Sequence, residues 1–257
     1  MNAILLPILG VFGLMIGSFL NVCIARLPAG ESIVSPGSKC PKCGKPIAWH
    51  DNVPVLSWML LGGKCRDCGA GISIKYPIVE AITSLCFLAQ GVVYGDDLPL
   101  LGARLLFTAM LIVLFGTDLE TMRLPNVITY PGIVIGLGLS VVLPPGIVAA
   151  AIGAALGAAI PWTIRWIWER LRGVEAMGLG DVKMLAMIGA FLGWKQVWVV
   201  LFLASLTGAI GGIVILKLRG RSMASRIPFG TYLAVAAFVA SLVGEDLVTW
   251  YVGLYNY

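Results

Sequence analysis

The chain alternates long runs of apolar residues with short polar segments. A helix needs about 20 apolar residues to cross the hydrocarbon core of a membrane, so each run predicts a transmembrane helix. There are eight such runs. The sixth, Val182–Leu192, is short and crosses the membrane only if Met177–Asp181 extends it. The pattern predicts an all-α polytopic membrane protein with about eight transmembrane helices and one polar insertion between the first two. The runs are Ile4–Ile24, Pro77–Tyr94, Leu100–Gly116, Asn126–Leu143, Ile147–Trp168, Val182–Leu192, Val197–Leu216 and Thr231–Tyr251.

Composition agrees with a membrane protein and argues against other classes. Of the 257 residues, 59% are hydrophobic and 12% are charged, whereas about 25% of residues in a soluble domain are charged. The net charge of +5 comes without a long basic run or interleaved aromatic residues. We therefore expect a lipid bilayer, and no nucleic acid, as a partner. A signal peptide carries its basic stretch before its apolar run, but here Arg26 follows 25 uncharged residues, which predicts a first transmembrane helix.

The lysines and arginines predict the orientation of the chain. Sixteen of the 18 lie in the segments 26–76, 117–125, 165–183 and 217–227. Cytoplasmic loops carry an excess of these residues, so we expect the four segments to face the cytoplasm and both termini to face outside. This arrangement requires an even number of spans.

Pairs of glycines four residues apart recur in the apolar runs. They are Gly13/Gly17, Gly153/Gly157, Gly189/Gly193 and Gly208/Gly212. Small residues at this spacing let two helices approach closely in a membrane, so they predict helix packing.

The polar insertion, residues 26–76, contains four of the six cysteines. Cys40 and Cys43 form one Cys-x-x-Cys pair, and Cys65 and Cys68 form a second one, with 21 residues between the two pairs. This spacing is typical of a four-thiolate zinc site, whose filled tetrahedral shell makes the metal structural. Disulfides are the alternative, but the predicted cytoplasmic location disfavours them.

Two aspartates are the candidates for chemistry. His50 is the only histidine, which excludes a His-Glu-x-x-His zinc site and leaves a catalytic triad poorly supported. Asp118 ends the third predicted span and Asp181 begins the sixth, so both lie at the cytoplasmic border. Two carboxyl groups that share a site also share a proton, and such a pair can activate water against a peptide carbonyl. The sequence thus predicts an aspartyl protease within a membrane.

Other interpretations of these aspartates remain open. They could cap helices or pair with Arg123 and Lys183, in a non-enzymatic membrane adaptor that carries zinc. A proton-coupled carrier is disfavoured because its acids would lie near the membrane midplane. Gly178 and Gly180 favour the protease, since a flexible backbone beside Asp181 lets an extended substrate lie alongside it.

The ordered motifs resemble those of the type IV prepilin peptidase family, whose Gly-x-Gly-Asp motif is similar to that of presenilin-like proteases. The last matching segment has Thr231 where the family usually has proline, which we expect only to shift the start of a helix. The segments are Gly17-Ser-Phe-Leu-Asn-Val-Cys-Ile-Ala-Arg-Leu-Pro, Ser35-Pro-Gly-Ser-Lys-Cys-Pro-Lys-Cys, Asp51-Asn-Val-Pro-Val-Leu-Ser-Trp, Gly63-Lys-Cys-Arg-Asp-Cys, Ile74-Lys-Tyr-Pro-Ile-Val-Glu80, Asp118-Leu-Glu-Thr-Met-Arg-Leu-Pro, Gly178-Leu-Gly-Asp-Val-Lys-Met and Ile227-Pro-Phe-Gly.

This resemblance implies an enzyme of the bacterial inner membrane that cleaves the basic leader from prepilins and pseudopilins. Residues 1–25 would be the first transmembrane helix and residues 77–257 the protease domain. The resemblance further implies that residues 26–76 use S-adenosylmethionine to methylate the new N-terminal residue. Gly63 and Glu80 lie in the matching segments, so we take them as candidate cofactor-binding residues. A member that is a peptidase only is the alternative.

Overall fold

The computed structural model describes residues 4–173, 177–219 and 228–253, and nearly all of them are helical. This part of the chain contains nine α-helices and no strand beyond two isolated β-bridges. The helices are α1 (Leu5–Arg26), α2 (Leu56–Leu60), α3 (Lys75–Tyr94), α4 (Leu98–Thr121), α5 (Asn126–Leu139), α6 (Ile147–Arg172), α7 (Leu179–Leu192), α8 (Trp194–Arg219) and α9 (Phe229–Gly253).

The predicted all-α membrane fold is confirmed, since each of the eight apolar runs forms a helix. Among the described residues, six helices are long and apolar enough to cross a membrane: α1, α3, α4, α6, α8 and α9. Helices α5 and α7 have 14 residues each, which at about 1.5 Å per residue is shorter than the hydrocarbon core. A count of eight spans therefore stays a prediction. Parts of two predicted cytoplasmic segments, residues 174–176 and 220–227, lie outside the described residues.

The chain divides into two compact units, and the first ends at Val113. In this unit α1 packs on α3 through its glycines. A Cβ atom on Gly17 would lie 2.6 Å from the Cα of Glu80, and one on Gly13 would lie 2.6 Å from the Cα of Ser84. The Ser84 hydroxyl donates a hydrogen bond of 2.8 Å to the backbone of α1. The packing role predicted for these two glycines is confirmed, because a side chain at either position would force the helices apart.

The second unit begins at Leu114 and is built around α7. Ten of the 14 residues of this helix are buried, and α5, α6, α8 and α9 all pack against it. Gly153 of α6 faces Gly189 of α7 so closely that a Cβ on either glycine would overlap the backbone of the other. Because other helices surround α7, its buried surface is apolar on nearly every side.

Candidate active site and metal site

Asp118 lies near the end of α4, which continues past Gly116 to Thr121. Its side chain is buried, with 5% of its surface exposed. The Oδ2 atom accepts a hydrogen bond of 2.9 Å from the backbone N–H of Thr231. Thr231 lies in the first turn of α9, which begins at Phe229. A proline at this position would lack the N–H that makes this contact, so Thr231 does more than shift the start of a helix. No motif in the sequence predicts the contact.

Asp181 is the third residue of α7, and its side chain is partly exposed. Its Oδ2 atom accepts a hydrogen bond of 3.2 Å from the backbone N–H of Gly178, the residue before the helix. The aspartate thus caps its helix, as one open interpretation held. It also interacts electrostatically with the Asp118 carboxyl group. The capping contact uses Oδ2, so the second carboxyl oxygen is left for other interactions.

Leu124 lies where the segments that carry the two aspartates meet. A Cβ on Gly180, which precedes Asp181, would lie 3.1 Å from the Leu124 Cδ1 atom. A Cβ on Gly230, beside Thr231, would lie 3.1 Å from the same atom. The structure therefore brings the two predicted carboxyl groups into one region of the second unit, between the ends of α4, α7 and α9.

Lys183 has a partner other than Asp181. Its Nζ atom donates a hydrogen bond of 2.8 Å to the Asn126 side chain at the start of α5. The same ammonium group lies 5.2 Å from the centre of the Tyr130 ring, which is within cation–π range. The interpretation in which Asp181 pairs with this lysine is thus not what the structure shows. Lys183 instead joins the start of α7 to α5.

The four cysteines of the first unit form a cluster that fits a metal ion. Their Sγ atoms all lie within 4.8 Å of one another, and those of Cys40 and Cys68 are 3.8 Å apart. Zinc–sulfur bonds of about 2.3 Å in a tetrahedron place the sulfur atoms about 3.8 Å apart. The four predicted ligands therefore have the chemistry and the spacing for zinc.

The two cysteine pairs have the same backbone conformation. The N–H of Gly44 donates to the carbonyl of Cys40, and that of Gly69 donates to the carbonyl of Cys65, at 2.9 and 3.0 Å. Both glycines have a positive φ, of 72° and 67°, which residues with a side chain rarely adopt. Hydrogen bonds from the backbone N–H groups of Cys43 and Lys42 lower the pKa of the Cys40 thiol to about 6. A thiolate is the form that binds metal.

Ion pairs connect the cysteine cluster to its surroundings. Lys45, two residues after the first cysteine pair, contacts Asp67 of the second pair at 2.7 Å. Arg66 donates from Nε to the carboxylate of Asp51 at 2.8 Å and makes a second hydrogen bond to it through its NH2 group. This hydrogen-bonded pairing lowers the pKa of Asp51 below its ordinary value.

Glu80 stabilises an unusual backbone conformation. Its carboxyl group is buried and accepts a hydrogen bond of 2.7 Å from the backbone N–H of Val55. Val55 has a φ of 59°, which is strained for a β-branched residue. Ser18 of α1 makes a further side-chain hydrogen bond to Glu80. Glu80 therefore joins α1 and α3 to the loop before α2.

Gly63 packs against an aromatic ring. A Cβ at this position would lie 2.9 Å from the Cζ2 atom of Trp58, and the φ of Gly63 is 67°. The Trp58 indole N–H donates a hydrogen bond of 3.1 Å to the carbonyl of Ile72. A side chain at position 63 would displace this indole.

A cavity of about 1290 Å³ lies in the first unit beside the cysteine cluster. Glu80 and Trp58 line the cavity. Gly63 does not line it but packs behind Trp58. This volume exceeds the roughly 300–1,000 Å³ of ordinary small-molecule pockets. Its other polar lining residues include Asn21, Arg26, Glu31, His50, Asp51 and Tyr76.

These features define a polytopic membrane protein with a carboxylate site in one unit and a four-thiolate site in the other. Two family models match the chain: the bacterial peptidase A24 N-terminal domain over residues 11–94, and the type IV leader peptidase family over residues 105–213. The chain belongs to the type IV leader peptidase family and is an aspartic peptidase.

Relatives of known name match along most of the chain. A prepilin leader peptidase/N-methyltransferase of Aeromonas salmonicida (strain A449) is 39% identical, over 94% of this chain and 91% of the relative. One of Pseudomonas aeruginosa is 36% identical over the same shares. One of Myxococcus xanthus is 42% identical over 82% of this chain and 63% of the relative. No solved structure matches the chain.

Proposed function

We propose that this protein cleaves the basic leader from prepilins and pseudopilins at the cytoplasmic border of the bacterial inner membrane. Asp118 and Asp181 perform the cleavage. The membership of the leader peptidase family and the names of the relatives support the substrate class. The observation that carries the mechanism is the convergence of the two aspartates beside Leu124, with Asp118 buried.

The two carboxyl groups divide the chemistry between them. The ionised one takes a proton from water as the water oxygen attacks the scissile carbonyl carbon. The protonated one donates a hydrogen bond to the carbonyl oxygen, and its proton later reaches the leaving amine. Because one site holds both groups, mutual repulsion keeps a single proton on the pair.

The proposed orientation places this site where the substrate is cut. The excess of lysine and arginine in four segments supports a cytoplasmic location for residues 26–76 and both aspartates. A prepilin has its basic leader on that side and its apolar helix in the membrane. In this proposal residues 1–25 form the first span and residues 77–257 the protease domain.

Incubation of the purified protein with a prepilin tests the cleavage. Asp118→Ala and Asp181→Ala should each abolish the shortened product, because neither carboxyl group alone can both activate water and donate a proton. Glu120→Ala is the matched control, since it removes an exposed acid two residues from Asp118 on the same helix. Cleavage by either aspartate variant, or its loss in the control, would reject the two-aspartate mechanism.

We infer that residues 26–76 carry a second activity, N-methylation of the new N-terminal residue. The cavity of the first unit is the candidate site, with Glu80 in its wall and Gly63 behind Trp58. Its carboxylates and its indole are suited to the positively charged sulfonium of S-adenosylmethionine. That cofactor supplies the methyl group when bound. The zinc ion would hold the cysteine pairs together and take no part in methyl transfer.

Mass spectrometry of the cleaved product tests this second activity. With S-adenosylmethionine supplied, the product should gain the mass of one methyl group, and Gly63→Ala should reduce that gain while cleavage continues. A product that never carries a methyl group would make this protein a peptidase only.

A further inference from the structure

We propose that Lys183 is a positioning residue of the peptidase site. It holds the start of α5 against the start of α7, and this contact keeps Asp118 and Asp181 close enough to share a proton. The inference rests on the proposed catalytic role of the two aspartates. It goes beyond that role because it assigns the spacing of the pair to a contact that neither carboxyl group makes.

Lys183 makes two contacts with one face of α5. Its Nζ atom donates a hydrogen bond of 2.8 Å to Oδ1 of Asn126 and lies 5.2 Å from the centre of the Tyr130 ring. Asn126 and Tyr130 are four residues apart, so they lie on the same face of the helix. Asp181 lies two residues before Lys183, and side chains at that spacing on a helix do not face each other. Lys183 therefore acts on the site through the position of the helices.

A short and constrained segment carries this contact towards the aspartates. Pro125 directly precedes Asn126, and its ring fixes its backbone φ, which is −62°. The carbonyl of Pro125 accepts hydrogen bonds from the N–H groups of Ile128 and Thr129, in the first turn of α5, at 3.1 and 3.2 Å. Leu124, the residue before Pro125, is therefore held in a fixed position relative to the start of α5.

Leu124 lies between the helices that form the site. A Cβ on Gly180 of α7 would lie 3.0 Å from the Cβ of Leu124, and one on Gly230 of α9 would lie 3.1 Å from its Cδ1 atom. The same loop begins at Asp118, whose carbonyl accepts a hydrogen bond of 2.9 Å from the N–H of Met122. If the start of α5 is released from α7, Leu124 can move away from Gly180. The two carboxyl groups then spend less time in the geometry that the reaction needs.

The other end of the same helix pair provides a matched control. The hydroxyl group of Ser140, which follows α5, donates a hydrogen bond of 3.2 Å to the carbonyl of Ala190 in α7. A Cβ on Gly136 would lie 3.0 Å from the Cβ of Ala190, so the two helices are also in close contact there. A helix of this length places Ser140 about 20 Å from Asn126. Ser140→Ala therefore weakens the same helix pair far from the aspartates.

The test measures cleavage of a prepilin by the full-length protein. Lys183→Met removes the ammonium group and keeps the length of the side chain, whereas Asn126→Ala removes the acceptor and keeps the charge of Lys183. We expect kcat to fall about 5- to 30-fold in Lys183→Met, which loses both contacts, and about 3- to 10-fold in Asn126→Ala. KM should stay within about twofold, because the geometry of the carboxyl pair acts on the chemical step.

Two further variants separate positioning from general packing. Asn126→Asp keeps an acceptor for Lys183, so it should restore kcat to within about twofold of wild type. Ser140→Ala should keep the wild-type kcat, even where it lowers the midpoint of thermal unfolding. The double variant of Lys183→Met and Asn126→Ala should lose no more activity than Lys183→Met alone, since both changes break the same contact.

Each outcome decides the proposal. Wild-type kcat in Asn126→Ala overturns it, because Lys183 would then act through its charge alone. An equal loss in Ser140→Ala, or additive losses in the double variant, also overturns it. If Lys183→Met does not purify as folded protein, Asn126→Ala at its exposed position decides alone. Cleavage by Asp181→Ala would instead overturn the proposed function, so the two failures are distinguishable.

Discussion

Replacement of Glu80 by alanine should abolish most methylation and spare leader cleavage. The carboxyl group of Glu80 is the acceptor for the N–H of Val55 in the wall of the cavity. Without this acceptor, the strained backbone of Val55 is free to relax. The loop between the two cysteine pairs then changes shape on the side that lines the cavity.

The size of the effect follows from two energies. A hydrogen bond to a charged group contributes about 1.5–3 kcal/mol, and a strained φ costs about 1–3 kcal/mol. The hydrogen bond from Val55 to Glu80 therefore roughly offsets the strain in the Val55 backbone. Its loss shifts the equilibrium of that backbone by roughly 10- to 100-fold towards the relaxed form. The methylation rate should fall by about the same factor, since only the held form keeps the cavity wall in place.

The assay follows both reactions on one prepilin by mass spectrometry, with S-adenosylmethionine present. Glu80→Gln is the conservative control, since its amide oxygen can still accept from Val55, and it should keep more methylation than Glu80→Ala. An unchanged methylation rate in Glu80→Ala would refute the reasoning. So would an equal loss of cleavage, because Glu80 would then support the fold as a whole.

Three further predictions concern metal, topology and packing. Purified protein should contain about one zinc per chain, and Cys43→Ser should lower that content; a freshly reduced preparation without metal would contradict the four-thiolate site. A membrane-impermeant thiol reagent outside intact cells should label an Asp97→Cys variant and miss the four zinc-site cysteines even after chelation, whereas the reverse pattern would invert the topology. Gly17→Leu should lower the midpoint of thermal unfolding in detergent by several degrees, because its side chain would overlap the backbone of Glu80. Gly102→Ala, which meets no atom within 4 Å, should change that midpoint little, and equal stability of both variants would reject the packing role.

Hydropathy predicted eight of the nine described α-helices and missed the five-residue α2 in the polar insertion, and it did not find every helix end. The apolar run of α4 ends at Gly116, yet the helix continues to Thr121 and includes Asp118. The run of α7 begins at Val182, yet the helix begins at Leu179 and includes Asp181. In both cases a polar residue ends the apolar pattern while the backbone hydrogen bonds continue. The candidate catalytic residues therefore lie inside helices rather than beyond them.

Contacts between distant residues explain what the sequence could not predict. The cysteine cluster was predictable because its spacing is local and its chemistry is specific. The partner of Lys183 was not, since Asn126 is 57 residues away in sequence. The same holds for Thr231, whose contact with Asp118 joins residues 113 positions apart and uses a backbone atom that no residue type identifies.

Replacement of each aspartate by asparagine tests the central claim most directly. Asparagine keeps the shape of the side chain and removes the ability to exchange a proton. Purified wild type, Asp118→Asn and Asp181→Asn would each be incubated with one prepilin, and the mass of the product would be followed over time. The two-aspartate mechanism predicts that wild type yields the prepilin without its leader and that neither variant does. Cleavage near the wild-type rate by either variant would contradict it.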